Sequence, residues 1–255
     1  MNVRVVKIGG AALADAVWLS DFAAHAAKSK GALVVVHGGG PDINEMSTRL
    51  GLSYTWSNGR RVTTPELMEV VGMVLTGRVN KRIVSALVDA GVDALGVSGL
   101  DAALLSADLA EDGALGRVGR VRRVRTDLIE WMTSRGVVPV LSPVSRGPDG
   151  EAVNVNADEV AGAVAAALGA SELLFLTDVA GVLEDREVVR SLSVPEARAL
   201  IDARTATGGM ALKLSAATDA LRLGVPVVRI GRFETLVDGE AGTRVRPETE
   251  VLTCR

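Results

Sequence analysis

The sequence predicts an α/β fold in which helices cover a mostly parallel sheet. Three observations lead there: short β-branched runs alternate with longer stretches of helical spacing, glycine clusters follow several of those runs, and the 255 residues are 48% apolar and 23% charged. Such alternation is the trace of parallel strands joined by crossover helices. The composition is that of a chain able to bury a core, which excludes a disordered or low-complexity one.

Val3 to Ile8 is the first expected strand, an apolar run interrupted by Arg4 and Lys7. Ala14 to Lys28 shows helical spacing, Ala32 to Val36 is the second strand, and Pro41 to Leu50 the next helix. Pro65 to Ala90 forms a long helix with Pro65 in its first turn, where the missing N–H is not needed. Ala94 to Val97 is a strand. Leu104 to Val124 then reads as a hairpin, since polar and apolar residues alternate around glycines. Thr126 to Arg135 is helical and Val137 to Leu141 is a strand. Pro143 to Val155 is a second hairpin, with its turn at Pro148-Asp149-Gly150. We expect both hairpins as antiparallel excursions on the parallel sheet. Asp158 to Leu168 is a helix, Leu173 to Leu176 a strand, Val194 to Ala203 and Gly209 to Leu223 helices, and Pro226 to Ile230 the last strand. A composition shift near residue 157 divides an N-terminal lobe, 1–157, from a C-terminal lobe, 158–255.

Several function classes drop out on composition. The 28 Lys and Arg against 31 Asp and Glu give a net charge of −3, and 3 Trp, 1 Tyr and 3 Phe are few. A nucleic-acid platform wants a basic excess and stacking rings, and neither is present. The single cysteine, Cys254, allows no intrachain disulfide and no Cys-based metal site. His25 and His37 are too few for a His-rich metal site; His25 falls mid-helix and reads as structural, while His37 stays open between touching ligand and packing. The opening MNVRVVKIGG is too short and broken for a signal peptide or a membrane span, so a soluble cytoplasmic protein is expected. Gly96-Val97-Ser98-Gly99-Leu100 is not a nucleophile elbow.

The chemistry gathers at glycines and cations. Gly9-Gly10 follows the first strand, Gly38-Gly39-Gly40 the second, and Gly208-Gly209 precedes the last long helix. Glycine lets backbone approach an anion, and a helix N-terminus behind it supplies free N–H groups and a positive dipole end. Tight turns alone would also use glycine, but three clusters at such ends point to phosphate. Neither G-x-x-x-x-G-K-[ST] nor G-x-G-x-x-G is present. Of 28 basic residues only five are lysines, and two of those stand out. Lys7 lies inside an apolar strand before a glycine pair; Lys213 lies in the first turns of a helix, where a cation opposes the dipole unless polyphosphate is bound. A surface role remains open for Lys213. Asn154 and Asn156 share one face of a strand end and suit a carboxylate and an acyl-amide, while Asp158 reads as a helix cap or a polar anchor. Arg61, within Asn58-Gly59-Arg60-Arg61-Val62-Thr63, is the candidate bidentate clamp for a carboxylate.

In order, Val6-Lys7-Ile8-Gly9-Gly10, His37-Gly38-Gly39-Gly40-Pro41, Gly59-Arg60-Arg61-Val62-Thr63, Val153-Asn154-Val155-Asn156-Ala157-Asp158, Leu176-Thr177-Asp178-Val179-Ala180-Gly181-Val182 and Thr207-Gly208-Gly209-Met210 with Lys213 cover essentially the whole chain. These blocks resemble the acetylglutamate kinases of the amino acid kinase family. The resemblance implies a three-layer α/β/α sandwich of the carbamate kinase-like kind. It implies an N-terminal lobe for the amino-acid substrate and dimerisation, and a C-terminal lobe for ATP. The implied reaction moves the γ-phosphoryl group of ATP, with Mg²⁺ arriving on the nucleotide, to the side-chain carboxylate of N-acetylglutamate in arginine biosynthesis. Lys7 and Lys213 would then stabilise the phosphoryl group, with Asp158 holding both ammonium groups. Gly38, Gly39, Gly40, Arg61, Asn154 and Asn156 would meet the substrate. Gly9, Gly10, Thr177, Asp178, Val179, Gly181, Val182, Leu183, Thr205, Ala206, Thr207, Gly208, Gly209 and Met210 would meet the nucleotide.

Two features point to the related kinases whose aminoadipate or glutamate substrate is tethered to an acidic carrier protein. Gly96-Val97-Ser98-Gly99-Leu100-Asp101-Ala102 departs from the Gly-x-Ser-Gly-Lys-Asp-Gly usual in acetylglutamate kinases. Arg117, Arg120, Arg122, Arg123 and Arg125 crowd one predicted hairpin, as a solvated face or a docking patch. His-Gly-Gly-Gly-Pro and Asn-Val-Asn-Ala-Asp resemble the free-acetylglutamate enzymes, and that reading is preferred. The first strand stands at the start of the sequence, without the extra N-terminal helix of arginine-inhibited hexamers, and a homodimer is implied.

Overall fold

The structure, a computed structural model, describes residues 2–247 apart from 11, 30, 58 and 186. Cys254 therefore lies outside the described residues. The chain opens with β1 (Val3–Ile8), α1 (Ala16–Lys28), β2 (Ala32–His37) and α2 (Gly40–Arg49). A short hairpin, β3 (Trp56–Ser57) and β4 (Arg60–Arg61), leads into α3 (Pro65–Gly72) and α4 (Asn80–Asp89), joined through a π-helical segment Met73–Val79. Then come β5 (Ala94–Ser98), β6 (Leu105–Leu109), β7 (Val118–Val124), α5 (Thr126–Thr133), β8 (Val138–Ser142), β9 (Val144–Arg146) and β10 (Ala152–Val155). The remainder is α6 (Ala157–Ala167), β11 (Glu172–Leu176), β12 (Leu183–Glu184), β13 (Glu187–Val188), β14 (Ser191–Ser193), α7 (Val194–Asp202), α8 (Gly208–Arg222), β15 (Val228–Gly231), α9 (Glu234–Val237) and β16 (Thr243–Arg246).

Eight strands form one sheet in the order β14-β16-β15-β11-β1-β2-β8-β5, parallel from β15 through to β5. Period-two alternation decides what each face carries. In β1, Val3 and Val5 join the core against α6, α7 and α8, while Val6 and Ile8 join the core against α1, α3 and α4. Helices thus cover both faces, giving the expected three layers. Lys7 shares the face of Val3 and Val5, so its side chain must point toward α6 and α8.

Local signals start several helices where they should. Asp15 accepts from the N–H groups of Val17 and Trp18, Thr64 caps α3 ahead of Pro65, and Ser193 with Glu196 closes a capping box on α7. Asp158, read from sequence as a candidate cap, is not one. Asn156 caps α6, its Oδ1 accepting from Asp158 and Glu159 N–H at 2.8 and 3.2 Å, which frees the Asp158 carboxylate to face inward.

The two hairpins are where the structure corrects the sequence reading. β6 pairs with β7 and β9 with β10, both antiparallel, as expected. They do not extend the large sheet: β10 pairs in parallel with β7 and β6 with β9, closing a four-stranded barrel. Pro143, between β8 and β9, cannot donate to a ladder, and the chain leaves the sheet there. The expected continuous helix 65–90 also carries a π-helical stretch, which turns Leu75 toward the loop after β2. The strand β16 and the small pairs β3–β4 and β12–β13 had no sequence expectation.

Candidate functional site

The site assembles where the C-terminal ends of β1 and β2 meet the N-terminal ends of α2, α6 and α8. Lys7 Nζ stands 2.8 Å from Asp158 Oδ1, and Lys213 Nζ donates to Asp158 Oδ2 at 3.2 Å. One carboxylate therefore gathers two ammonium groups from opposite ends of the chain. The Lys7 contact is an ion pair whose angle falls short of an aligned hydrogen bond, and Asp158 Oδ1 has no other partner among the described residues. Lys7 and Asp158 are 5% and 4% exposed, so the group is held in low dielectric. Burial drives the Lys7 pKa below the ordinary lysine value, with Lys213 adding to that and Asp158 opposing it. Burial on its own would raise the Asp158 carboxyl; the two ammonium groups outweigh it and hold the carboxyl below its usual range.

Packing sets this spacing. A Cβ on Gly162, one turn beyond Asp158, would lie 3.2 Å from the carbonyl oxygen of Ala216 in α8. Gly162 lets α6 and α8 approach closely, and Lys213 then reaches Asp158.

The glycine loops after β1 and β2 lie against each other. A Cβ on Gly10 would stand 2.9 Å from Pro41 Cδ and 3.1 Å from Gly40 N. Neither neighbour is a flexible side-chain tip. Gly10→Ala should therefore push the loops apart and raise the acceptor KM at least ~10-fold, the size of one lost charge-assisted contact. Steady-state kinetics checks this, and an unchanged KM would remove the loop from acceptor binding. Gly39 caps α2, whose first N–H groups have no intrahelical partner.

His37 is structural. It is fully buried; the Asn80 amide donates to its Nε2 at 3.1 Å, so Nδ1–H donates to the Gly38 carbonyl at 2.9 Å. Burial pushes its pKa down to about 4 from 6.5. The unfolded chain then binds more protons between those values, so stability is full above pH 6.5 and is lost as pH falls toward 4. The wild type should lose ~3 kcal/mol of unfolding free energy across that window through this residue. Denaturant titrations of wild type and His37→Asn at both ends check it; equal pH dependence in the two would contradict it.

A cavity of about 280 Å³ opens beside the ion group, lined by Lys7, Gly10, Gly38, Gly39, Gly40, Arg61, Asn154, Asn156 and Asp158 among others. All the residues expected to meet the acceptor lie there together. Arg61 is 5% exposed, its guanidinium 4.2 Å from the Tyr54 ring centre and 4.6 Å from that of Trp56, with Nη2 donating to Asn44 Oδ1 at 2.5 Å. Its Nη1 is buried and meets no acceptor among the described residues. Asn154 donates to Thr63 Oγ1 at 3.2 Å.

A second cavity, about 220 Å³, is lined by Val179, Gly181, Val182, Leu183, Leu200, Thr205, Ala206, Thr207 and Met210. Eight of these were expected at the nucleotide, and Leu200 is added. Thr207 is the N-cap residue of α8, the helix that carries Lys213, so one helix links this cavity to the ion group. Gly9, Thr177, Asp178, Gly208 and Gly209 line neither cavity, and Gly10 lines the first cavity, not the second. Gly9 and Thr177 spend their N–H groups on the carbonyls of Leu176 and Gly231. Gly209 lies close to the ion group, its Cβ position 3.9 Å from Lys213 Nζ.

Sequence reasoning missed Arg60, Glu159, Asn44 and Tyr54. Arg60 stood in a quoted motif, but two adjacent arginines in a loop gave no reason to choose both. Of the five crowded arginines in and beside β7, three form ion pairs: Arg117 with Asp149, Arg122 with Asp108 and Arg125 with Asp127. Among the described residues no three His, Cys, Asp or Glu side chains cluster as a metal site, and no helix is long and apolar enough to cross a membrane.

Residues 2–232 match the Amino acid kinase family. The acetylglutamate kinase of Roseiflexus sp. (strain RS-1) is 43% identical over 248 residues, covering 96% of this chain and 94% of that protein. That of Rubrobacter xylanophilus is 45% identical over 255 residues, 97% of this chain and 98% of its relative. Among solved structures, smu.665 from Streptococcus mutans UA159 superposes with a TM-score of 0.85 at 31% identity, covering 96% of this chain and 98% of that one.

Proposed function

The chain belongs to the amino acid kinase family, and on that premise we propose that it transfers the γ-phosphoryl group of ATP to the side-chain carboxylate of N-acetyl-L-glutamate. The observation that carries the reading is the likeness, at 43% and 45% identity over nearly the whole chain, to two acetylglutamate kinases. The ion group and its cavity suit that chemistry.

A carboxylate has a pKa near ~4 and is already ionised at neutral pH, so no general base is required. One of its oxygens attacks the γ-phosphorus while the bond to the bridging oxygen of ADP breaks, leaving an acyl phosphate and ADP. The obstacle is repulsion between carboxylate and polyphosphate. Positioned cations and backbone donors lower it, because they act where charge spreads over the equatorial oxygens in the transition state. Lys7 and Lys213 fit this task, and Asp158 keeps two like charges together in a buried place. Gly38, Gly39, Gly40, Arg61, Asn154 and Asn156 suit the acceptor; the second cavity, with Val179 to Leu183 and Thr205 to Met210, suits the nucleotide. Mg²⁺ would come bound to ATP, held by phosphate oxygens and water. Residues 1–157 would thus serve the acceptor and dimerisation and residues 158–255 the nucleotide, in a cytoplasmic homodimer of arginine biosynthesis.

The test is ADP release with Mg·ATP across a panel of N-acetyl-L-glutamate, N-acetyl-aminoadipate, free glutamate and carrier-bound acceptors. Turnover should be fastest with N-acetyl-L-glutamate. Activity confined to another member of the panel would reject the reading.

A further inference from the structure

Arg60 and Arg61 are neighbours on β4, and both line the acceptor cavity. The charged residues of that lining are Lys7, Arg60, Arg61 and Asp158, three cations against one anion. N-acetylglutamate carries two carboxylates. One reacts, and the other must be recognised.

Each guanidinium is braced from behind. Asn44 and two aromatic rings hold Arg61. Glu159 holds Arg60, accepting from Nη2 at 3.1 Å, and is itself fixed by the Val121 N–H at 2.9 Å. In each guanidinium Nη1 is buried and has no acceptor among the described residues. Proteins seldom leave such groups unpaired, and here both belong to residues that line one cavity. A carboxylate offers two oxygens to two such donors.

We propose that Arg60 is a second guanidinium for the α-carboxylate of the acceptor, aimed by Glu159 as its positioning residue, and that it selects acceptors whose α-carboxyl group is free. The proposal rests on the N-acetylglutamate reading above. A brace for β7 alone would use only the Nη2 contact with Glu159. The enclosed Nη1 and the surplus of cations argue for an anionic partner as well.

The experiment compares N-acetyl-L-glutamate with N-acetyl-L-isoglutamine, which keeps the side-chain carboxylate but has a neutral α-carboxamide. Arg60→Gln should raise KM for N-acetyl-L-glutamate roughly 10- to 100-fold, the range for one hydrogen bond to a charged group. KM for ATP should stay put, kcat should change only a few-fold, and KM for the isoglutamine should barely move, so the preference for a free α-carboxylate shrinks. Glu159→Gln, which keeps an oxygen for Val121 but loses the charge, should give a smaller loss in the same KM. Arg60→Lys keeps the charge without the fork and gives the same readout if the glutamine variant does not fold. Equal changes for both acceptors, or none, would overturn the role of Arg60. Wild-type turnover of N-acetyl-L-glutamate in the same assay separates the two ideas, since its absence rejects the proposed function instead.

Discussion

Lys213→Ala should lower kcat by ~10²- to 10³-fold, the usual cost of removing one donor aimed at transition-state charge. KM for the acceptor should change little, since Lys213 does not line its cavity. The fold should survive: α8 keeps its packing against α6 through Gly162 and Ala216, and alanine is the best helix former. Lys7 is a poorer first target because it lies inside a central strand and is 5% exposed, so truncating it would also disturb the core. Steady-state kinetics with circular dichroism as a control decides the matter. A Lys213→Ala enzyme with normal kcat would remove the second ammonium from catalysis and leave Lys213 as a structural partner of Asp158.

Asp158→Asn should cost both stability and activity. Removing one partner of a buried ion pair typically destabilises by ~3–5 kcal/mol, because the remaining charge is left uncompensated. For a chain of this size that corresponds to a fall in Tm of roughly 10 °C. Lys7 and Lys213 would also lose the anion that holds them together. Burial already depresses the Lys7 pKa, and without Asp158 opposing that effect it should fall further. Residual activity should therefore decline on the alkaline side at a lower pH than in wild type. Thermal melts and a kcat profile against pH measure the two effects. An unchanged Tm with an unchanged alkaline limb would show that Asp158 neither bears the pair nor tunes it.

Most of this site was legible because its residues carry local signatures. A lysine inside an apolar strand, glycines after strands and paired amides at a strand end each conflict with ordinary packing, and function resolves the conflict. Arg60 gave no such sign. Arginine in a loop is ordinary, and only the enclosure of its Nη1 and the approach of Glu159, 99 positions away, set it apart. His37 shows the reverse case. Its position before three glycines invited a ligand role, but Asn80, from a helix distant in sequence, takes up its Nε2.

The sequence by itself determined the order and type of the long elements, because apolar periodicity is a local property that commits each segment to a strand or a helix before any partner is known. It also determined the cations and glycines that the chemistry needs. Tertiary structure alone decided that the hairpins 104–124 and 143–155 close on each other as a barrel, and at what distances Lys7 and Lys213 meet the expected carboxylate of Asp158. Those outcomes depend on which faces meet between segments distant in the chain, as with Val118 and Asn154 in the barrel and the 55 positions between Asp158 and Lys213. Close packing of the whole chain settles such encounters, and no short window of residues contains them.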